Sequence, residues 1–278
     1  MLSVIALLFV FHKVDVDSVI QRFKVAKIEF IFLAVVFFIL SKIISAYRLN
    51  HVFKSLSISL THKINLKIYW RGMFYNIFLP GSVSGDLYKT YYLHRNYNNR
   101  IKDILSAIII DRINGLLVLL LLLLVPVAYF LDGIYEFIIP AGIIFVFTSF
   151  LFITRQNFQP VSRKIFLISS YSFFVQFAQL ISVSLLLYAL NSESSDTIIL
   201  YLFIFLISSV VSVLPLTIGG MGAREVTFLY LSNFFDYDVS VAVSLSLLFQ
   251  IITLMVSLAG SMVSLKEQPK QKTVMYIR

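Results

Sequence analysis

The sequence predicts an all-α, polytopic helical membrane protein, and three observations carry that prediction. Apolar residues make up 59 % of the 278-residue chain and charged residues 13 %, against about 45–50 % and about 25 % in soluble domains. Mean hydropathy is +0.90, more hydrocarbon than one aqueous core of this size buries. Several uncharged runs approach the roughly 20 residues that cross about 30 Å of hydrocarbon as a helix. With no cysteine in the chain, a disulfide framework, a thiolate zinc site, an iron–sulfur cluster and a cysteine nucleophile are excluded. A net charge of +9 would point to nucleic acid in a soluble protein. Here it reads as cytosolic loops lying on anionic lipid, and no nucleic-acid partner is expected.

Taken in order, Leu2–Phe11 is a short apolar run read as a first span. It lacks a basic n-region and an A-x-A site, so a cleaved signal peptide is not expected. In residues 12–27, Val16, Val19, Ile20 and Phe23 follow helical spacing, as in a helix lying flat at the interface. The clear spans are Ile28–Ala46, Ile113–Leu131, Phe137–Ile153, Ile165–Leu190 and Val239–Leu265. Ile68–Pro80 is apolar for only 13 residues before Gly81–Asp86, with basic flanks on both sides. A run that short, beginning and ending on one side, predicts a re-entrant hairpin. Ile198–Leu214 runs into Pro215–Gly222 with acidic flanks; a second hairpin and a pair of full spans both remain open there.

Lys and Arg orient the bundle. Arg48, Lys54, Lys63, Lys67, Arg71, Lys89, Arg95, Arg100 and Lys102 fill one loop region, Arg155, Arg163 and Lys164 another, and Lys266, Lys270, Lys272 and Arg278 the tail. The intervening turns carry only acids: Asp132 and Glu136, Glu193 and Asp196, Asp236 and Asp238. Basic loops mark the cytoplasmic side, so a multi-pass protein of the inner membrane with both termini cytoplasmic is expected. Residues 12–27, with Lys13, Arg22, Lys24 and Lys27, run against that count.

The chain also resembles itself. Asn76-Ile77-Phe78-Leu79-Pro80-x4-Gly85 is echoed by Val213-Leu214-Pro215-x4-Gly220, about half the chain later. One integral-membrane domain, 1–278, then divides into a first half 1–131, a second half 132–265 and a basic tail 266–278. Each half reads span, span, hairpin, span. Three crossings are an odd number, so the second half is inverted, and the proline-interrupted segments Pro80 and Pro215 point to a transporter-like site.

Three ordered motifs carry a family resemblance: Asn76-x-x-Leu79-Pro80-x4-Gly85-Asp86-x-x-Lys89, Ile110-Asp111-Arg112-x-x-Gly115-Leu116, and Gly219-Gly220-x-Gly222-x-Arg224-Glu225. From about residue 28 to 265 the chain resembles the lysylphosphatidylglycerol synthase transmembrane-region, or flippase-like domain, family. The resemblance implies an inner-membrane protein whose module moves an aminoacylated phospholipid across the bilayer beside a cytosolic synthase domain. This chain departs in showing no soluble C-terminal domain and in its shorter first span, so it is expected to be a stand-alone form.

Ionisable groups at membrane depth are costly and therefore functional candidates. Gly219, Gly220 and Gly222 would let a ligand approach backbone, the helix start that follows offers N–H donors to an anion, and Arg224 adds a fork for phosphate. Glu225 reads equally as a neutraliser of Arg224 or as part of the site. Asp86, after Gly85, reads as a helix-start carboxylate or as a partner for a lipid ammonium, Arg112 or Arg224. Lys89 reads as a site residue or as a snorkelling one. Asp111 and Arg112 point about 100° apart and should find separate partners, at the interface or within the site. Gln176, Gln179 and Gln250 read as helix-to-helix amides.

His12, His51, His62 and His94 lack metal-ligand spacing, and no P-loop or dinucleotide fingerprint is present. No metal, cofactor or catalytic residue is expected. The longest hydrophilic stretch, roughly twenty residues, is too short for a folded enzyme domain, so catalysis within this chain is improbable. The expected function is a translocase for a phospholipid or lipid-linked headgroup with an anionic lipid as partner. The alternative is the membrane subunit of an aminoacyl-phosphatidylglycerol transferase or glycolipid synthase whose soluble transferase is a separate chain. A scaffold for envelope assembly is a third reading.

Overall fold

A computed structural model describes residues 2–78, 83–130, 133, 135–192, 194–213 and 220–264. All regular elements among them are helical: α1 Leu2–Lys13, α2 Val16–Lys24, α3 Ile28–Ser55, α4 His62–Phe78, α5 Ser84–Tyr97, α6 Ile101–Leu122, α7 Leu124–Phe130, α8 Tyr135–Asn157, α9 Gln159–Ser162, α10 Ile165–Ala189, α11 Ser195–Val213, α12 Ala223–Phe234 and α13 Val239–Leu258, closed by a 3₁₀ turn over Ala259–Met262. Six helical stretches are long and apolar enough to cross a membrane: Ile28–Ser55, Ile101–Val127, Phe137–Asn157, Ile165–Ala189, Ser195–Val213 and Val239–Met262. The fold is that of a multi-pass helical membrane protein.

Several boundaries differ from those read in the sequence. The span expected to end at Ala46 continues to Ser55, so Arg48 and Lys54 lie in α3 rather than in a loop. The first apolar run becomes α1, 12 residues long, which at 1.5 Å per residue covers about 18 Å and cannot cross alone. It lies instead against α12. The span expected to open at Ile113 begins at Ile101, so Asp111 and Arg112 stand ten residues or more inside a helix rather than at its mouth. Ile101–Ile110 already holds seven apolar residues, and helix propagation does not stop at two charges that find partners. In the second interrupted unit α11 is long enough to span while α12 has 12 residues, so one full-length arm is followed by a short one. Pro80, Pro215, Gly219 and the basic tail 266–278 lie outside the described residues.

Helices α3 and α10 form the central contact. The remaining contacts run in matched sets: α4 meets α5 as α11 meets α12, α5 meets α6 as α12 meets α13, and α4 meets α13 as α11 meets α6. Phe38, Leu186, Leu187, Tyr201, Phe205 and Phe249 fill the largest core cluster. A second, built on Leu49, Phe53, Ile104, Phe150 and Ile168, lies at the end where the basic loops gather.

The opposite end collects the acidic turns. Arg22 of α2 pairs with Asp238 and donates from Nε to Ser240 Oγ at 2.7 Å, the Lys27 N–H donates to the Ala189 carbonyl at 3.0 Å, and Val19 packs with Leu229 and Val243. Residues 12–27 therefore share an end with the acidic turns, despite their charge. Asp238 is the N-cap of α13 and accepts from the Ser240 N–H at 2.8 Å. Burial pushes its carboxyl up, but the Ser240 hydroxyl and N–H, with Arg22, outweigh that and hold it below the ordinary range.

Candidate functional site

The first interrupted unit folds as a tight helical hairpin. Gly72 of α4 and Gly85 of α5 touch backbone to backbone, and a Cβ on Gly85 would stand 2.2 Å from the Gly72 carbonyl oxygen. Asn76 Oδ1 accepts the Gly85 N–H at 2.7 Å, which caps the start of α5 from the opposite arm. The motif asparagine and glycine thus hold the two arms together. Next to them Asp86 accepts from Lys89 Nζ at 2.9 Å and pairs with Arg112 of α6. Lys89 is buried, its Nζ 4.9 Å from the centre of the Tyr69 ring; it does not snorkel to the surface.

The second motif seats a residue that the sequence reading passed over. Arg48, in the C-terminal part of α3, grips Asp111 with both fork nitrogens, Nε at 2.7 Å and Nη2 at 2.9 Å, and donates from Nη1 to Ser172 Oγ at 2.8 Å. Ser172 Oγ donates to Asn114 Oδ1 at 2.6 Å, and Asn114 Nδ2 to Ser169 Oγ at 2.8 Å. A Cβ on Gly115 would stand 2.9 Å from Arg48 Nη1, so Asp111, Asn114 and Gly115 form one helix face shaped to take a guanidinium. Asp111 and Arg112 do find separate partners. Both ion clusters are internally neutralised or nearly so, and they tie α3, α5, α6 and α10 together.

The third motif is different. Gly220 and Gly222 take φ +83° and +88°, a region that favours glycine. The side-chain space of Gly222 is occupied by α1, since a Cβ there would stand 2.6 Å from the Ala6 Cβ. Glu225, fully buried, accepts the Gly222 N–H at 2.7 Å through Oε2, so its own carboxylate takes one of the open donors at the start of α12. Arg224 has no carboxylate partner among the described residues. Its guanidinium lies 4.5 Å from the centre of the Phe249 ring and 5.3 Å from that of Phe205. Nε and Nη1 are sealed from solvent without a hydrogen-bond partner among the described residues.

A cavity of about 230 Å³ is lined by Lys42, Tyr69, Asn76, Ser212, Met221, Gln250, Thr253 and Ser257 among others; Arg224 does not line it, but lies three residues after Met221 and over Phe249, the neighbour of Gln250. The cavity walls come from α3, both interrupted units and α13. Lys42 is a second cation without an ion-pair partner among the described residues. Its Nζ stands 4.5 Å from the centre of the Phe38 ring, and Phe38 meets Phe249 edge to face at 5.3 Å. The two cations sit close enough to repel each other. Both rest on aromatic faces, which attract a cation without cancelling its charge. Lys42, Arg224 and Glu225 together leave one positive charge uncompensated.

Of the residues singled out in the sequence, Arg224 and Glu225 do not line the cavity, and Arg224 approaches it only through Phe249, the neighbour of Gln250. Asp86, Gly85, Lys89, Asp111 and Arg112 belong to the adjoining ion clusters, with Tyr69 between Lys89 and the cavity. Gln250 faces the cavity rather than another amide. Lys42 and Arg48 were missed although both interrupt or end an apolar run, the signal that marks a functional charge in a span.

Comparison with known proteins agrees with this architecture. No curated protein sequence matches the chain. The family model described as "lysylphosphatidylglycerol synthase TM region" matches residues 1–169 and 154–260, which covers the core helices, both interrupted units and the cavity between them. The chain therefore belongs to the lysylphosphatidylglycerol synthase transmembrane-region family.

Proposed function

We propose that this protein binds the anionic headgroup of a phospholipid or lipid-linked phosphate in the Lys42 cavity and moves it across the bilayer. The observation that carries the reading is a pair of half-buried cations, Lys42 and Arg224, held over aromatic rings with no carboxylate within ion-pair reach among the described residues. A charge left unneutralised in low dielectric is expensive unless a ligand completes it. Tyr69, Asn76, Gln250 and Ser257 line the cavity with hydroxyl and amide donors for a phosphate, while the Ser212 and Thr253 hydroxyls, which donate to the Ser208 and Phe249 carbonyls, can accept from its substituent. At about 230 Å³ the cavity is smaller than the ~300–1,000 Å³ that encloses a whole drug-sized ligand. A headgroup fits and the acyl chains stay in the bilayer.

Translocation rests on the position of the cavity between the two interrupted units. The matched helix contacts support two halves of opposite orientation, an arrangement in which rocking of one half against the other exposes the site to alternate sides. The basic end of the bundle is then the cytoplasmic one, in the inner membrane; the N-terminus, at the head of an α1 too short to cross from the acidic end, does not reach it as the charge count expected.

The test is reconstitution into vesicles containing fluorescent phosphatidylglycerol, with the outward-facing label quenched chemically. Wild type and the surface variant Lys102→Ala should redistribute the label at equal rates. Lys42→Ala and Arg224→Ala should each be slower by tenfold or more, as loss of a charge-assisted hydrogen bond requires. Equal rates in all four proteins would remove the cavity from the mechanism. Headgroup binding without redistribution would favour a membrane subunit that presents lipid to a separate soluble transferase.

A further inference from the structure

Glu225 does something in this arrangement that an anion site alone does not call for. It is fully buried, at the start of a helix whose N-terminal N–H of Gly222 holds one carboxylate oxygen at 2.7 Å. The other oxygen, Oε1, has no hydrogen bond to the described residues. Among the described residues no cation stands within ion-pair distance of it, because the neighbouring Arg224 side chain turns away onto Phe205 and Phe249.

The helices packed on α12 are α1, α11 and α13. Towards Glu225, α13 presents the hydroxyl of Ser246, and α1 presents Ser3 and Ala6 at Gly222. The ionisable groups of these elements are His12 and Lys13 of α1 and Asp196 and Tyr201 of α11; the first three stand at or beyond the ends remote from Glu225, and the Tyr201 hydroxyl donates to the Asp238 carbonyl at the acidic end. The charge that reaches it is therefore that of Arg224, which in turn repels Lys42. Ser246 stands one helical turn before Gln250, which lines the cavity.

We propose that Glu225 is a proton-binding site coupled to the cavity, so that an anionic headgroup enters together with a proton. The inference rests on the anion-binding reading above and adds its coupling ion. With Glu225 ionised, the group Lys42, Arg224 and Glu225 carries a net single positive charge; with Glu225 protonated it carries two. Anion affinity rises on protonation, and by reciprocity a bound anion raises the proton affinity of Glu225. The proton comes from solvent, adds to the free carboxylate oxygen to give the neutral acid, and returns to solvent when the anion leaves. No other bond changes.

The experiment titrates the full-length protein in detergent with dihexanoylphosphatidylglycerol, a phosphodiester that exchanges no proton of its own near neutrality. Binding enthalpy is measured between pH 5.5 and 9 in buffers of different ionisation enthalpy. Wild type should take up a proton in part of that range and bind on the order of tenfold more tightly at its acid end. Glu225→Gln keeps the Gly222 contact and the neutral charge state, so it should bind with no proton uptake and little pH dependence. Wild-type binding without proton uptake overturns the coupling and leaves the anion site standing. Uptake that persists in Glu225→Gln also overturns it. No binding at any pH overturns both readings.

Discussion

Asp111→Asn leaves the Arg48 guanidinium buried without its counter-charge, since both side chains are about nine-tenths buried. Breaking such a pair costs about 3–5 kcal/mol. The expected outcome is a large drop in the thermal midpoint of the purified protein, with Arg48→Met plus Asp111→Leu recovering much of it. A double variant no more stable than Asp111→Asn would mean that Asn114, Ser172 and Ser169, not the charge pair, set the local stability. The same scale separates the two kinds of arginine in this protein. Arg48 has a carboxylate fork, a hydroxyl and a glycine cut to its shape, and is structural. Arg224 has aromatic faces and unmet donors, an arrangement that calls for a ligand. Nothing in the local sequence of either arginine marks the difference, which lies in what the facing helix offers.

At the scale of the element, the hairpin depends on two glycines 13 residues apart in sequence. Gly85→Ala places a Cβ on the Gly72 carbonyl and must separate α4 from α5, pulling Asn76 off the Gly85 N–H and Asp86 off Arg112. The variant is expected to lose scrambling and to expose the hairpin to protease. Full activity and wild-type protection would show that the arms need not touch.

The opposite end gives a pH prediction. The Asp238 carboxyl is held below its ordinary value, so it contributes stability above the unfolded pKa of about 3.9 and loses it as pH falls through its lower folded value. The cap and its tie to Arg22 are therefore intact at neutral pH and loosen only below about pH 4. Asp238→Ala removes the cap, should cost about 1 kcal/mol at pH 7, and should flatten the acid limb of the melting curve. An unchanged acid limb would place the acid sensitivity elsewhere.

For the whole molecule, the absence of native cysteine makes sidedness directly measurable. Val25→Cys and Asp196→Cys lie at the end where α2, the α10–α11 turn and the start of α13 meet, and Lys102→Cys and Arg155→Cys at the end where α6 begins and α8 stops. All four native residues are exposed. An impermeant maleimide added to intact cells should label one pair and spare the other. Labelling of Val25→Cys with Lys102→Cys would contradict the placement of residues 12–27 at the acidic end. That segment shows the limit of counting charges: Lys13, Arg22, Lys24 and Lys27 argue for the basic end, whereas the Arg22–Asp238 pair and the Lys27–Ala189 bond fix the chain at the other.

Composition, run length and basic-loop bias determined the fold class, five of the six crossing helices, and the two interrupted units, because a bilayer accepts few backbone solutions and each leaves a long, legible run of apolar residues. The three motifs were legible as strings, and with them the family. Their roles were decided only by the tertiary structure. Whether Asp111 meets lipid or Arg48, whether Gly222 faces a ligand or Ala6, and whether Lys42 is a stray charge or the wall of a cavity all depend on which helix stands opposite. The pairing of a charge is a property of two segments far apart in sequence, and the energetic cost of leaving it unpaired arises only once packing has removed the water.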